Sequence, residues 1–245
     1  MKPFLPIVQF VDYPIINSTY LEIGAVIVDL MKQPKFSHIT TLNPQILVGC
    51  ESNHDLKKWV LTSELIVPDG VGIQWAIKCL YRKQIACITG IQLVLTLLNQ
   101  GGFSCLLVGA TPKSYSKAME QVKTQFPNVT FLEGSHGYIP ESEWPNLIQS
   151  IKTQCPDLIL VGMGFPKQEQ FLQQVQKYCT QGIGIGIGGV IDIFSGYQKW
   201  APKWIRALKL EWLYRGVTQP RRLKTWKFMM PFIYWTIKRK DFVSL

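Results

Sequence analysis

Short β-rich, mostly apolar runs alternate along the chain with longer amphipathic stretches. The runs are FSHITTLN (36–43), ELIVPDG (64–70), IACITG (85–90), SCLLVGA (104–110), VTFLEG (129–134), DLILVGMG (157–164) and GIGIGIGGV (182–190). Between them lie helix-like segments such as TPKSYSKAMEQVKTQF (111–126) and PKQEQFLQQVQKY (166–178). Strands that are apolar almost throughout belong to parallel sheets covered on both faces by helices. The pattern therefore predicts an α/β fold with a largely parallel sheet. Ligands of such sheets bind beyond the carboxyl ends of the strands. Several of these runs end there in Gly or a polar group: Thr41-Leu42-Asn43, Pro68-Asp69-Gly70, Thr89-Gly90, Gly109 and Gly162-Met163-Gly164.

The run 182–190 satisfies G-x-G-x-x-G through Gly184, Gly186 and Gly189. A dinucleotide fingerprint needs those glycines in a tight turn between strand and helix. Here Gly and Ile alternate at period 2, which is strand spacing. Ile183, Ile185 and Ile187 would share one face, and Gly184, Gly186 and Gly188 the other. A glycine face predicts close approach of a helix or ligand to the backbone, with a ligand near the strand end at Gly188-Gly189.

Charge divides the chain. Residues 1–198 hold 14 Lys+Arg against 14 Asp+Glu, whereas residues 199–245 hold 12 Lys+Arg against Glu211 and Asp241. The whole net charge of +10 therefore sits in the last 47 residues, which also hold five of the eight tryptophans. This shift predicts a core over 1–198 and a basic, Trp-rich helical appendage over 199–245. Trp204, Leu208 and Trp212 recur at helical spacing, Leu223, Trp226 and Met230 continue a stripe, and basic residues lie beside them. Such a pattern suits an interfacial membrane helix, a helix packed on the core, or a nucleic-acid surface. Phe232 to Ile237 followed by Lys238-Arg239-Lys240 forms a second apolar–basic unit.

No apolar run reaches the roughly 20 residues of a bilayer span, and the first residues lack the features of a secretory signal. The cytosol is the expected compartment. The six cysteines form no C-x-x-C pair and lie in apolar segments, so buried thiols in a reducing compartment are expected. The three histidines show no metal-ligand spacing, and no metal is expected.

Three segments carry candidate chemistry. Pro68-Asp69-Gly70 reads locally as a turn, and Thr41 and Asn43 as turn or cap residues. In one parallel sheet, however, Thr41 and Asp69 would meet on the same edge, as a general base with a positioning partner. Gly162-Met163-Gly164-Phe165-Pro166-Lys167-Gln168-Glu169 runs from strand into helix, where backbone amides suit a phosphate or nucleoside. Glu169 would oppose a phosphate and is expected to pack or cap.

Taken together, these segments resemble the bacterial WecG/TagA/CpsF glycosyltransferases over nearly the whole chain. The resemblance rests on TLNPQ (41–45), PDGVGIQWA (68–76), ITG (88–90), LLVGA (106–110), GYI (137–139), VGMGFPKQE (161–169), IGGVIDIFSG (187–196), AP-W (201–204), LEWLYR (210–215) and PRR (220–222). It implies a Rossmann-like core, a membrane-docking appendage, and inverting, metal-free transfer of N-acetylmannosamine or a related sugar. The donor would be a UDP-sugar, with no further cofactor, and the acceptor a polyprenyl-diphosphate-linked GlcNAc. By resemblance Asp69 is the general base with Thr41 beside it, and Asn43 lines the same pocket. Tyr138, Gln168 and Asp192 contact UDP, while Arg215 and Arg222 close over the leaving diphosphate. Implied partners are an anionic membrane surface and a second copy of the chain in a homo-oligomer, but no nucleic acid, which would leave PDG-x-G and PKQE unexplained. The implied location is the inner face of the membrane, or a plastid if the chain is organelle-encoded.

Three positions depart from the family pattern. Cys87 stands where an Arg is usual and Gln92 where an Asp is usual, and the family's RAP reads Trp200-Ala201-Pro202. A thiol cannot replace a guanidinium, so Lys83, Lys167 or the tail arginines would carry more of the donor site. The departures also support a second reading, a non-catalytic relative that binds lipid-linked glycan or a protein partner. Intact Thr41, Asp69 and GMGFPKQE oppose it.

Overall fold

The computed structural model describes residues 5–208, 210–218 and 227–243. In chain order the elements are β1 (Ile7–Phe10), β2 (Tyr13–Ile16), α1 (Tyr20–Met31), β3 (Ser37–Leu42), α2 (Pro44–Ser52), α3 (His54–Leu61), β4 (Leu65–Pro68), α4 (Gly70–Tyr81) and α5 (Gly90–Gln100). They continue as β5 (Phe103–Gly109), α6 (Pro112–Gln125), β6 (Val129–Ser135), α7 (Trp144–Gln154), β7 (Leu158–Gly162), α8 (Lys167–Tyr178), β8 (Ile183–Gly186) and α9 (Val190–Phe194). Three helices follow, α10 (Lys203–Ala207), α11 (Glu211–Thr218) and α12 (Met229–Val243). The strands form one sheet in the order β1-β2-β4-β3-β8-β7-β5-β6. Only β1 and β2 pair antiparallel; every other neighbouring pair is parallel. The expected α/β fold with a Rossmann-like core is therefore the observed one.

Side-chain alternation along the strands feeds two apolar layers. Leu65, Val67, Cys105, Leu107, Leu158, Leu160, Ile183 and Ile185 face a cluster built with α1, α5, α6 and α9. Ile66 faces α2, α3 and α4 on the other side, while Leu106, Val108, Ile159 and Val161 face α7 and α8. Both faces of the sheet are covered, which is why these strands read as continuous apolar runs.

The period-2 reading of 182–190 holds over Ile183–Gly186 only; beyond it Gly188, at φ +54°, lies in the turn that leads into α9. Gly184 and Gly186 lie within β8 itself, and both meet α8. A Cβ on Gly184 would come within 2.6 Å of Leu172, and one on Gly186 within 2.6 Å of the Gln168 amide. At the carboxyl edge of the next strand, a Cβ on Gly162 would sit 2.6 Å from the Gly188 carbonyl oxygen. Backbones pass so closely here that only glycine fits.

Three expectations need correction. The run 85–90 is not a strand. Its one sheet contact is an isolated parallel bridge between Asp69 and Ile88. β3 flanks β4 on one side and β2 on the other through the single pair Ile15–Ile66, so 85–90 reaches the sheet only just past the end of β4. Conversely, the β1–β2 hairpin has no strand signature in the sequence, because each strand has four residues and Pro6 and Pro14 argue against strands. The stripe through Trp204, Leu208 and Trp212 does not run along one helix. α10 caps at Leu208, and the Leu210 N–H reaches back to the Ile205 carbonyl at 3.0 Å, the six-to-one bond that closes a helix end. Finally, Cys155 is exposed at the left-handed cap of α7, and only Cys50 and Cys105 are fully buried.

The last helix packs on the core. α12 lies against α2 and α4, and Phe232 is 1% exposed within their apolar cluster. The Trp235 indole packs edge-on against Phe10 and donates to Glu51 at 2.9 Å. Arg239 donates to the same Glu51 oxygen at 2.8 Å and stacks on Trp235. The opposite side of α12 exposes Met230, Tyr234 and Ile237.

Candidate active site

The carboxyl edge of the sheet gathers the predicted residues along a line rather than at one point. β3 and β4 pair with Thr41 opposite Val67 and Leu42 opposite Pro68. Asp69 is two residues past Val67, so it emerges on the same face as Thr41. The Gly90 position confirms the proximity, because a Cβ built there would lie 3.9 Å from both Asp69 Oδ1 and Thr41 Cγ2. Asp69 is half-buried, and its Oδ1 accepts from the Gly90 N–H at 2.9 Å. Thr41 is buried, and its hydroxyl donates to the Gly186 carbonyl at 3.1 Å, tying β3 to the end of β8. Asn43 caps α2, its Oδ1 accepting from the Gln45 and Ile46 amides at 3.0 and 3.1 Å.

The segment 85–90 supplies that Gly90 amide, and bonds from three other elements hold it. The Ile85 carbonyl accepts from Gln74 on α4, and the Ala86 N–H donates to Asn17. Tyr20, the first residue of α1, donates its hydroxyl to the Cys87 carbonyl at 3.1 Å and accepts from the Thr89 N–H at 3.0 Å. The Gly70 N–H donates to the Ile88 carbonyl at 2.8 Å. Burial raises the Tyr20 phenol above its ordinary value, opposed by the Thr89 bonds and reinforced by the nearby charge of Asp69. Tyr20 thus belongs to the site, although no motif marks it; its partners lie 67 and 69 residues away in sequence. Cys87 is half-buried here, and the Gln92 amide closes the Thr89 cap of α5.

Gln168 stands at the next strand along. It is 5% exposed, its Oε1 accepts from the Gly188 N–H at 3.0 Å, and its Nε2 donates to Glu169 at 2.9 Å. Glu169 is 4% exposed, and its Oε2 has no hydrogen-bond partner. Burial pushes its carboxyl up to about 7, against the lowering effect of the Gln168 bond. Pro166 caps α8 rather than occupying its first turn. Lys167 donates to the Gly137 and Ile139 carbonyls, so it braces the loop after β6.

Asp192 and Tyr138 lie further along the edge. Asp192 Oδ1 accepts from Ser114 of α6 at 2.7 Å, and Ser114 bonds Ser195 at 2.9 Å. Tyr138 is 69% exposed, in the loop after β6. Four strand steps separate β4 from β5, roughly 19 Å at about 4.8 Å per step. The edge therefore presents Thr41, Asp69 and Tyr20 at one end, Gln168 midway, and Asp192 with Ser114 and Tyr138 at the other. The backbone of Arg215 lies in α11, but its side chain falls outside the described residues, as does the whole of Arg222.

This geometry suits an elongated ligand lying across strand ends, with a carboxylate near each terminus. Comparison with known proteins identifies the family. The family model described as glycosyl transferase WecG/TagA/CpsF matches residues 8–243. The chain is 29% identical over 203 residues to the N-acetylglucosaminyldiphosphoundecaprenol N-acetyl-beta-D-mannosaminyltransferase of Bacillus spizizenii, covering 82% of this chain and 77% of that protein. It is 31% identical over 205 residues to a protein of the same description from Staphylococcus aureus, covering 82% of this chain and 80% of that protein.

Proposed function

This chain belongs to the WecG/TagA/CpsF glycosyltransferase family, and on that premise we propose that it moves N-acetylmannosamine, or a related sugar, from a UDP-sugar to a polyprenyl-diphosphate-linked GlcNAc. The observation that carries the reading is Asp69, which is fixed by the Gly90 amide on the face it shares with Thr41, at the end of a glycine-lined edge. In the proposed step Asp69 takes the proton from an acceptor hydroxyl. That oxygen forms the new bond to the anomeric carbon from the side opposite UDP, so the centre inverts. The bond to the UDP oxygen breaks, and the diphosphate leaves with the electron pair.

Gln168, Asp192 and Tyr138 are assigned to the nucleotide, since Asp192 lies at the end of the edge remote from Asp69. Arg215 and Arg222 are assigned to the diphosphate, where charge-assisted bonds strengthen as negative charge develops. The reading carries no metal, so turnover is expected to survive a chelator. It also places residues 199–245 on an anionic membrane surface. Support comes from the twelve basic residues there and from exposed Trp204, Leu208, Trp212 and Val217. Among the described residues no helix is long and apolar enough to cross a membrane.

The test is Asp69→Asn. A positioned base contributes about 10²–10⁴-fold, so turnover of a UDP-sugar with a short-chain polyprenyl-diphosphate-GlcNAc, followed by product mass, falls by that factor. UDP affinity by calorimetry stays within about twofold, because the base acts on the acceptor. Near-full turnover would make Asp69 a turn residue only.

A further inference from the structure

A carboxyl group buried with an unpartnered oxygen is destabilising, and an apolar residue of the same size would remove that cost. Glu169 is such a group, 4% exposed with Oε2 unbonded. Its one bond from another side chain comes from its neighbour, the Gln168 amide. That amide is held between two elements. Its carbonyl end accepts from Gly188, in the turn that leaves β8, and its NH₂ end lies over Gly186, where a Cβ would come within 2.6 Å. The Gly186 carbonyl is in turn the acceptor for Thr41.

An amide has a donor end and an acceptor end. If Gln168 rotated end for end, its NH₂ would face the Gly188 N–H, donor against donor. An oxygen acceptor at Glu169 Oε1 holds the NH₂ on its own side and so selects the orientation that binds Gly188. The charge state does not matter to this selection, because Oε1 accepts whether or not Oε2 carries the proton. Burial pushes the carboxyl up to about 7, so the neutral form is well populated near neutral pH.

We infer that Glu169 is a positioning residue, which fixes the Gln168 amide so that the turn after β8 keeps the shape required for donor binding. The inference rests on the active-site reading above and adds to it a residue that need not touch substrate.

The experiment uses the full chain with Glu169→Met, Glu169→Gln, Gln168→Ala and Asp69→Asn, measuring donor KM, acceptor KM and kcat beside a thermal melt. Methionine fills the volume without an acceptor, whereas glutamine keeps an Oε1 acceptor and cannot ionise. Losing one net hydrogen bond corresponds to about five- to tenfold. Glu169→Met is therefore expected to raise donor KM by that factor, approaching Gln168→Ala, with acceptor KM within twofold. Glu169→Gln is expected to restore donor KM to within twofold of the parent. A folded Glu169→Met with normal donor KM, beside an impaired Gln168→Ala and an inactive Asp69→Asn, overturns this inference alone. Equal damage in Glu169→Gln and Glu169→Met also overturns it, since the acceptor oxygen would then not be what matters. Full turnover in Asp69→Asn instead overturns the active-site reading. If Glu169→Met does not fold, Glu169→Gln decides the matter: a raised donor KM in that variant overturns the inference, and an unchanged one supports it.

Discussion

Phe232→Ala tests whether the basic C-terminal region is an independent membrane element or part of the folded core. Phe232 is 1% exposed, packs between α2 and α4, and sits 6.0 Å between ring centroids from Trp75. Its ring also approaches Gly72, where a Cβ would lie 3.7 Å from it. Truncating a buried Phe to Ala costs about 3–5 kcal/mol, transfer and cavity together. In a chain of this size each kcal/mol lowers Tm by about 2–4 °C. If α12 unfolds with the core, Tm falls by about 6–20 °C. If α12 opens first, the Tm shift is smaller, and the loss appears as about 10²–10⁴-fold weaker hydrogen-exchange protection in α12. Circular-dichroism melts and exchange mass spectrometry read the two cases. Tyr234→Ala, at a position 66% exposed on the same helix, serves as the control and should stay within about 0.5 kcal/mol. A variant with both Tm and α12 protection unchanged would refute the docking. The same packing bears on any truncation at residue 198, which would uncover the apolar surface beneath Phe232 and Trp235 as well as remove the basic residues.

Two further outcomes are expected. Tyr20→Phe removes the donor to the Cys87 carbonyl and the acceptor of the Thr89 N–H. It should cost about 1–3 kcal/mol of stability and lower turnover at least about fivefold well below Tm, measured by urea melts and initial rates; unchanged values in both would remove Tyr20 from the site. For Glu169 the folded carboxyl is raised to about 7 from an ordinary value of 4.5. The folded state therefore holds its proton longer than the unfolded one, and stability falls as pH rises from about 4.5 to 7, then levels off. The total is about 3 kcal/mol at 1.36 kcal/mol per pH unit. Urea melts of Glu169→Gln against the parent should diverge by about 2–3 kcal/mol between pH 5 and pH 8, and parallel curves would show that the group is not buried as described.

The primary structure by itself determined the sheet and the end of it where chemistry sits. Continuous apolar runs require cover on both faces, and strands of one parallel sheet bring their polar ends to one edge, so Thr41 and Asp69 were legible as neighbours from their places at strand ends. The alternation of Gly and Ile in 182–187 likewise revealed a strand with one face bare, and α8 fills it. Tertiary structure decided what each group does on arrival. Asn43 turns its Oδ1 to the cap of α2. The apolar run 85–90 looks like a strand because its residues are strand-formers, but β2 and β3 flank β4, and the segment meets the sheet only at Asp69, which it braces. Tyr20 was invisible for the same reason, since its role consists of bonds to residues 67 and 69 positions away. In the C-terminal region, charge and tryptophan content mark a different composition, yet they do not say which face of α12 meets protein. Phe232 and Trp235 are as apolar as any membrane anchor, and only the groove between α2 and α4, with Glu51 at its rim, turned that face inward. Periodicity records which residues share a face; what covers that face depends on contacts between distant segments, which no local pattern encodes.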